Sequence, residues 1–239
     1  MGCCFSAQSP LPASAPEEER IIAVNEADLR FYSTGVTRAF DLLEEGAGSG
    51  QLSPGQFQTW TSTLDVNTLE IDTVDSKLQR LFKRFREGKG RYSARKLAVL
   101  TVLLTQGGAR ERAEVLYRGW LLGRETDQLD RTLTRELLAT LLEIAAEWLP
   151  ELAIEEISQH GRSLSKAEVT AYVSKLKSAH DMVFQRADIA LSGPSESISR
   201  EEFTNRMLND QLLAKFLTSS TLRLALLEAH IEAAPRTTR

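Results

Sequence analysis

The sequence predicts an all-α protein made of four helix-loop-helix units arranged in two lobes. Apolar residues recur at spacings of three and four along most of the chain, which is the pattern of helices with one buried face. Glycine-rich or polar breaks separate these stripes, and a hydrophobic residue followed by Ser or Thr stands at the end of each break. The four pairs lie 40, 41 and 65 residues apart, so we expect an internal repeat with an insertion near residues 148–165. The pairs are Leu52-Ser53, Tyr92-Ser93, Leu133-Thr134 and Ile198-Ser199.

The helices are predicted from the stripes in chain order. Helical patterning begins at Glu17, stops at the glycines of residues 46–50 and resumes at Pro54, which suits the first turn of a helix. Residues 87–90 break the second unit, and polar residues break the third and fourth. In order, the stripes are Leu29, Tyr32, Val36, Phe40 and Leu43; Phe57, Trp60 and Leu64; Leu78, Leu81, Phe82 and Phe85; Leu97, Leu100 and Leu104; Leu116, Tyr117 and Trp120; Leu137, Leu138, Leu141 and Leu142; and Val169, Tyr172, Val173, Leu176, Val183 and Phe184.

These units divide the chain. We expect residues 17–108 to form an N-terminal pair of units and residues 109–209 a C-terminal pair. Residues 210–232 are apolar C-terminal helices, and residues 233–239 are a tail. Paired helix-loop-helix units can form a hydrophobic groove for an amphipathic helix, so the C-terminal helices either fill this groove or help it to bind a protein partner. Their apolar residues are Leu212, Leu213, Phe216, Leu217, Leu222, Leu226, Leu227 and Ile231.

The first six residues match the M-G-x-x-x-[ST] pattern of N-myristoylation. Gly2 would carry the myristate, and Cys3 and Cys4 are candidates for palmitate. One myristoyl chain binds a membrane only marginally, on the order of 10⁴ M⁻¹, whereas a second acyl chain makes anchoring stable. Small, polar and proline-containing residues follow, as in a flexible spacer. We therefore expect residues 1–16 to anchor the protein to the cytosolic face of the plasma membrane or of endosomes or lysosomes.

Composition narrows the classes of function. The net charge of −4 and pI near 5.6 do not favour nucleic acid as a partner, and both cysteines belong to the predicted anchor, which excludes a disulfide framework. The uncharged run of residues 97–109 is too short, and too polar at its end, to cross a bilayer. His160, His180 and His230 stand apart from other metal-ligand residues, and no motif of a catalytic or phosphate-binding site occurs. We therefore expect a protein that is not an enzyme.

Positive charge is concentrated in the second unit. Residues 77–96 contain nine lysines and arginines against one acidic residue, Glu87. Such a face could lie on anionic lipid, at about 1 kcal/mol per residue near the surface. Two alternatives are a solvated helix face and a binding site for an acidic partner segment. The residues are Lys77, Arg80, Lys83, Arg84, Arg86, Lys89, Arg91, Arg95 and Lys96.

The segment Ile198-Ser199-Arg200-Glu201-Glu202-Phe203 resembles the end of an EF-hand loop, in which a Glu next to a Phe supplies the bidentate ligand. Residues 210–217 are similar to the helix after the last EF-hand in calcineurin B-like and neuronal calcium sensor proteins. The EF-hand-like N-terminal regions of TLDc-domain proteins, which are acylated at Gly2, are also similar. This resemblance implies EF-hand-like units over roughly residues 25–220.

Calcium binding can be tested against the loop pattern. An EF-hand loop needs a bidentate Glu at its twelfth position and a set of oxygen ligands before it. With each hydrophobic residue of the recurrent pairs in the eighth place, the twelfth positions hold Gln56, Lys96, Leu137 and Glu202. Only the fourth loop keeps its Glu, and Leu191 stands where its first ligand should be. We therefore expect no cofactor and no metal, with Glu202 as a weak candidate ligand for calcium.

Together these features predict a membrane-anchored adaptor that binds protein partners through an EF-hand-like helical body, independently of calcium. One alternative is a calcium-responsive regulator that uses the fourth loop. Another is a relative of the TLDc-protein N-terminal region that docks on a membrane enzyme or pump.

Overall fold

A computed structural model describes residues 11–66, 68–154, 163–193 and 196–233. The predicted all-α class is confirmed, since thirteen α-helices lie in these ranges and the strands there have only two or three residues each. The helices are α1 (Glu17–Ala27), α2 (Val36–Gly46), α3 (Pro54–Thr63), α4 (Thr68–Asp72), α5 (Lys77–Lys83), α6 (Ala94–Leu104), α7 (Ala109–Trp120), α8 (Arg131–Glu143), α9 (Lys166–Ser178), α10 (His180–Ser192), α11 (Arg200–Asn209), α12 (Gln211–Ala214) and α13 (Ser219–Ala233). The strands are β1 (Gln51–Leu52), β2 (Arg86–Glu87), β3 (Arg91–Ser93), β4 (Leu129–Asp130) and β5 (Ser197–Ile198).

The strands join the predicted loops in two antiparallel sheets. β1 pairs with β3 and places Leu52 opposite Tyr92, so the loops of the first and second units meet. β4 pairs with β5 and places Leu129 opposite Ile198, which joins the third and fourth units. β2 and β3 form a hairpin around the turn at residues 88–90. Each short pairing satisfies backbone groups that a buried loop would otherwise leave unpaired.

The third unit corrects the predicted repeat. Its strand residue is Leu129, whereas the predicted pair Leu133-Thr134 lies inside α8 and is buried there. The Asp130 side chain accepts a hydrogen bond of 2.7 Å from the backbone N–H of Leu133, so Asp130 is the N-cap. The periodicity argument missed this because Asp as well as Ser or Thr can cap a helix.

The first stripe is also divided. α1 ends before Arg30, which has a positive φ of 60°, and a single 3₁₀ turn at Phe31–Ser33 leads to α2. Tyr32, predicted to be buried, is exposed because it lies in this turn. In the second half of the first unit the prediction is confirmed. Pro54 occupies the first turn of α3, and Ser53 caps it in a capping box with Gln56.

One continuous hydrophobic core contains residues from both halves of the chain, so the two expected lobes share it. α7 packs against α2 and α6 and also against α11. Two loops meet at glycines with positive φ, Gly50 (76°) and Gly123 (69°). A Cβ atom on Gly123 would lie 2.5 Å from the backbone nitrogen of Gly50, so only glycine fits there.

The described apolar residues of the predicted insertion near residues 148–165 pack into or against this core. α8 continues into a π-helical turn (Ile144–Trp148) and a 3₁₀ turn (Leu149–Ala153), whose apolar residues are buried. The 3₁₀ turn packs against α1, α5 and α9. Residues 155–162 of the expected insertion lie outside the described part of the chain.

The C-terminal helices pack into the core as well. Of the eight apolar residues predicted there, six are buried, Leu212 is half-buried and Ile231 is 72% exposed. Arg112 of α7 holds this segment in place, because its buried guanidinium donates to the carbonyls of Val102, Thr105 and Leu217. Burial lowers the pKa of Arg112 to about 10, a value at which the side chain is still cationic at neutral pH.

Candidate functional site

The predicted lipidation residues Gly2, Cys3 and Cys4 lie outside the described residues. The first helix after the predicted spacer, α1, is fixed to the body at both ends. Near its end, the Lys77 Nζ of α5 donates to Asn25 Oδ1 over 3.2 Å. α1 therefore connects the predicted anchor with the helix that begins the basic segment.

The nine basic residues fall into two groups. Five are exposed and four are half-buried, so they do not form one uniform face. The exposed ones are Arg80, Lys83, Arg86, Lys89 and Arg91, and the half-buried ones are Lys77, Arg84, Arg95 and Lys96.

The half-buried group is held by residues distant in sequence. Arg84 Nη2 donates to both oxygens of Glu151 over 2.7 and 2.6 Å, so one nitrogen of the guanidinium holds the whole carboxylate. The Arg84 and Lys96 cations each lie 5.8 Å from the centroid of the Trp148 ring. Burial, together with the neighbouring charge of Arg124, lowers the pKa of Arg95. These residues stabilise the junction of α5, α6 and the turn at residues 144–153, and their charge is partly offset there.

The exposed group lies on and next to the β2–β3 hairpin. Arg86 Nε donates to Tyr92 Oη over 2.9 Å, and its guanidinium lies 5.1 Å from the centroid of that ring. On the other side Tyr92 stacks on Phe57 at 3.8 Å, which anchors the hairpin in the core. Lys89 has a positive φ of 63° in the turn. We call Lys83, Arg86, Lys89 and Arg91 the basic hairpin surface.

This surface is available for an external anion. Its lysines and Arg91 form no ion pair within the described residues, and all four side chains are exposed. Glu87, the acidic residue of the segment, instead accepts a hydrogen bond of 3.3 Å from Gln51 of β1. Four exposed cations therefore lie on one hairpin and the helix end before it, with Arg86 opposite Tyr92 and Arg91 opposite Glu87 in the strand register.

The fourth loop contains an internal cation where the EF-hand pattern would place a metal. The Arg206 guanidinium donates to Glu202 Oε1 over 2.5 Å and also to the backbone carbonyl of Leu191. It lies against Gly193, where a Cβ atom would overlap it. Leu191, Gly193 and Glu202 are the first, third and twelfth positions of the predicted loop. The candidate ligand Glu202 is therefore already paired with a residue of its own helix.

The corrected register also changes the third loop. With Leu129 in the eighth place, the twelfth position is Leu133 instead of Leu137, and both are aliphatic. In the second loop the twelfth residue, Lys96, lies over Trp148. Neither arrangement offers the bidentate carboxylate that an EF-hand loop requires.

A groove runs along one face of α9. Its volume is about 650 Å³, and it lies between α9, α5 and the end of the 3₁₀ turn. Ile154, Val169 and Val173 form an apolar floor, and Lys166 and Lys177 stand on the rim. Across the groove are Arg80, a member of the exposed basic group, and Glu151, which is paired with Arg84.

A fully buried ion cluster joins the two ends of the chain. Arg223 of α13 donates to both carboxylate oxygens of Glu19 over 2.8 Å each and to Glu26 over 2.6 Å. The Tyr172 hydroxyl donates to Glu19 over 2.5 Å, and the Ser219 hydroxyl donates to Glu26 over 2.8 Å. Burial raises the pKa of Glu19, although the charge and hydrogen bonds of Arg223 oppose this. The cluster fixes α1 to α13 with each carboxylate held by two donors.

None of the helices in the described ranges is both long enough and apolar enough to cross a bilayer. Nor do three or more His, Cys, Asp or Glu side chains come together at a possible metal site in that part of the chain. His180 Nε2 is buried without a hydrogen-bond partner in the described structure, and His230 Nδ1 lies 2.6 Å from Ser178 Oγ.

Comparison with known proteins assigns no family. No model of a known protein family matches the chain, and no curated protein sequence matches it. The likeness to the EF-hand superfamily therefore rests on the motif residues quoted above.

Sequence reasoning missed Glu151, Trp148, Arg206, Glu19 and Arg223. The partners of the first two lie more than fifty residues away along the chain, and the ion cluster spans 204 residues between Glu19 and Arg223. Arg206 was detectable, because it lies four residues after Glu202 on the same helix, a spacing at which opposite charges meet.

Proposed function

We propose that this chain is a membrane-anchored, non-enzymatic adaptor whose helical body binds protein partners independently of calcium. Acyl groups on Gly2, Cys3 and Cys4 supply the anchor, and the basic hairpin surface lies on the anionic cytosolic leaflet. The observation that carries the proposal is the group of four exposed cations on and beside one hairpin. Each cation near an anionic leaflet contributes about 1 kcal/mol, so the surface would add up to about 4 kcal/mol to the anchor.

Calcium independence is supported by the fourth loop. A guanidinium that is covalently part of the chain already neutralises Glu202, so calcium would have to displace it and supply the ligands that Leu191 cannot. The resemblance to EF-hand proteins and to the N-terminal regions of TLDc-domain proteins enters the proposal in the same way. The helix-loop-helix units would serve as a scaffold for binding partners, without a calcium switch.

The anchor is tested in cells with Gly2→Ala. Loss of myristate removes one of the two hydrophobic signals, so we expect the variant to leave the membrane fraction. Continued membrane association of Gly2→Ala would contradict the acyl anchor.

The basic hairpin surface is tested separately in the full chain with Gly2→Ala, Cys3→Ser and Cys4→Ser, so that no acyl group contributes. Changing Lys83, Arg86, Lys89 and Arg91 to Gln should weaken flotation with vesicles of phosphatidylserine and phosphatidylcholine by up to about 1,000-fold. The matched control changes four exposed arginines elsewhere to Gln, which gives the same change of net charge. They are Arg38, Arg110, Arg131 and Arg200. If both variants lose the same amount of vesicle binding, the effect is one of net charge, and the basic hairpin surface is not a specific membrane contact.

A further inference from the structure

We infer that the groove along α9 is a docking site for an amphipathic partner helix with acidic residues near both of its ends. This inference rests on the proposed adaptor function and names the class of partner. The residues of α9 that line the groove are Lys166, Val169, Thr170, Val173, Ser174 and Lys177.

Their spacing shows that the groove follows one face of a helix. The six residues recur at three, one, three, one and three positions, which is the repeat of a single α-helical stripe. Lys166 and Lys177 therefore stand at opposite ends of α9, about 16 Å apart at about 1.5 Å of rise per residue. Between them the floor is apolar, with Val169 buried and Val173 and Ile154 half-buried.

The dimensions fit a helix of about three turns. A volume of about 650 Å³ is within the usual range for a ligand site, and a groove of about 16 Å matches the length of such a helix. An amphipathic helix fills such a groove with apolar anchors at i, i+3, i+4 and i+7. Three aliphatic side chains on the floor can contact this stripe.

The charged residues around the groove indicate which residues the partner helix has near its ends. Lys166 and Lys177 lie on the rim at the two ends of α9, and Arg80 lies across the groove. Glu151 also lines the groove, but both of its carboxylate oxygens accept hydrogen bonds from Arg84 Nη2. Lys177 pairs with Glu147 over 2.8 Å, and both side chains remain partly exposed, so an incoming carboxylate can share this lysine. Cations at both ends favour a segment with an acidic residue near each end over a lipid, which has its charge in one headgroup.

The position of the groove is compatible with the anchored protein. Arg80 belongs to α5, the helix that ends at Lys83 of the basic hairpin surface. A partner helix in the groove would therefore bind close to the leaflet, as expected for an adaptor of membrane-associated proteins.

The test uses the full-length Gly2→Ala protein and designed fluorescent peptides. One peptide has a leucine stripe over about four turns, with glutamates about three turns apart, and its counterpart has lysines in their place. Fluorescence anisotropy should show binding of the glutamate peptide at least tenfold tighter than the lysine peptide. Monomeric dihexanoyl phosphatidylserine is the lipid probe. Exclusive binding of this lipid, or equal binding of both peptides, would overturn the inference.

Variants on α9 supply the controls. Lys166→Glu with Lys177→Glu should reverse the preference to the lysine peptide, and Val173→Asp should abolish binding of both peptides. Lys175→Glu is the matched control, because Lys175 is on the same helix but pairs with Glu18 outside the groove. Circular dichroism and a thermal melt confirm that each variant is folded. If the Lys166→Glu, Lys177→Glu double variant binds both peptides as Lys175→Glu does, the groove along α9 is not the docking site.

Failure of the groove and failure of the proposed function are distinguishable. The four Gln changes of the basic hairpin surface should leave peptide affinity within about twofold, because none of those residues lines the groove. If peptides fail while vesicle binding depends on the hairpin, only the docking site is wrong. If peptides bind while vesicles do not, the groove stands and the membrane contact is wrong.

Discussion

Replacement of Arg223 by Met should destabilise the protein more than any surface substitution. Arg223 lies between two buried carboxylates, Glu19 and Glu26, and all three side chains are 0% exposed. Methionine is also unbranched but is shorter and has no charge, so both carboxylates lose their cation while Tyr172 and Ser219 still donate to them. Removal of one partner of a buried ion pair costs about 3–5 kcal/mol. A domain is stable by only about 5–15 kcal/mol, so this loss is a large share of the total.

Urea unfolding, followed by tryptophan fluorescence, measures this loss. With a slope of about 2–3 kcal/mol per molar for a chain of this size, a loss of about 4 kcal/mol lowers the midpoint by about 1.3–2 M. The matched control is Arg186→Met, because Arg186 and its partner Glu232 are 57% and 64% exposed. We expect that control to change stability by less than about 0.5 kcal/mol. A loss below about 1 kcal/mol in Arg223→Met would refute the assigned role of the cluster.

The pH dependence tests the physical cause. Burial already raises the pKa of Glu19 above its ordinary value of 4.5, and Arg223 is the main group that opposes the rise. Without Arg223 the pKa of Glu19 should rise further, so the folded state binds its proton more tightly than the unfolded state. Stability then falls as the pH increases from 4.5 through the raised pKa. Arg223→Met should therefore lose less stability at about pH 5.5 than at about pH 8, and an equal loss at both would contradict this explanation.

Three further predictions concern the loops. Gly123→Ala should destabilise the protein by about 2–4 kcal/mol in the same urea assay, because φ is positive at this position and the new methyl group would overlap Gly50. Gly48→Ala is the control and should be tolerated, because a Cβ atom at Gly48 has no neighbour within 4 Å. Calorimetric titration of the full chain should give no calcium binding below about 1 mM. Arg206→Gln should lower stability by about 1–3 kcal/mol, because Glu202 loses its cation, and calcium should restore part of that loss. Tight calcium binding by the unaltered chain would show that Arg206 does not occupy the loop in solution.

The sequence predicted the helices and most of the loop ends because both depend on local patterns. Apolar spacing identified the stripes, and Ser53 and Ser199 cap the helices that were expected to follow them. The prediction for the third unit was wrong for an equally local reason. Asp130 caps α8, but the pattern of a hydrophobic residue followed by Ser or Thr does not include Asp. The break at Arg30 was missed because a non-glycine residue with positive φ has no clear signal in the sequence.

The site was less predictable because its electrostatics are tertiary. A window of nine basic residues suggested one cationic face, but folding brings Glu151 to Arg84 and leaves the exposed charge on and beside the hairpin. The groove was also beyond local reasoning, since its floor combines a stripe of α9 with Ile154, and its rim includes Arg80. Periodicity identifies the buried face of a helix, but it does not identify the neighbouring element.

Internal cations give this helical body a fixed shape without a bound ion. Arg206 joins Glu202 to the carbonyl of Leu191 in the fourth loop, where a calcium-binding loop would use a metal. Arg112 likewise joins the end of α6 to the C-terminal segment. A guanidinium cannot dissociate from its own chain, so calcium would have to displace Arg206 from Glu202 in order to bind in the fourth loop. In the proposed adaptor, regulation would therefore depend on the anchor and on the helix that occupies the groove, because Arg206 already pairs with Glu202, the candidate ligand of the fourth loop.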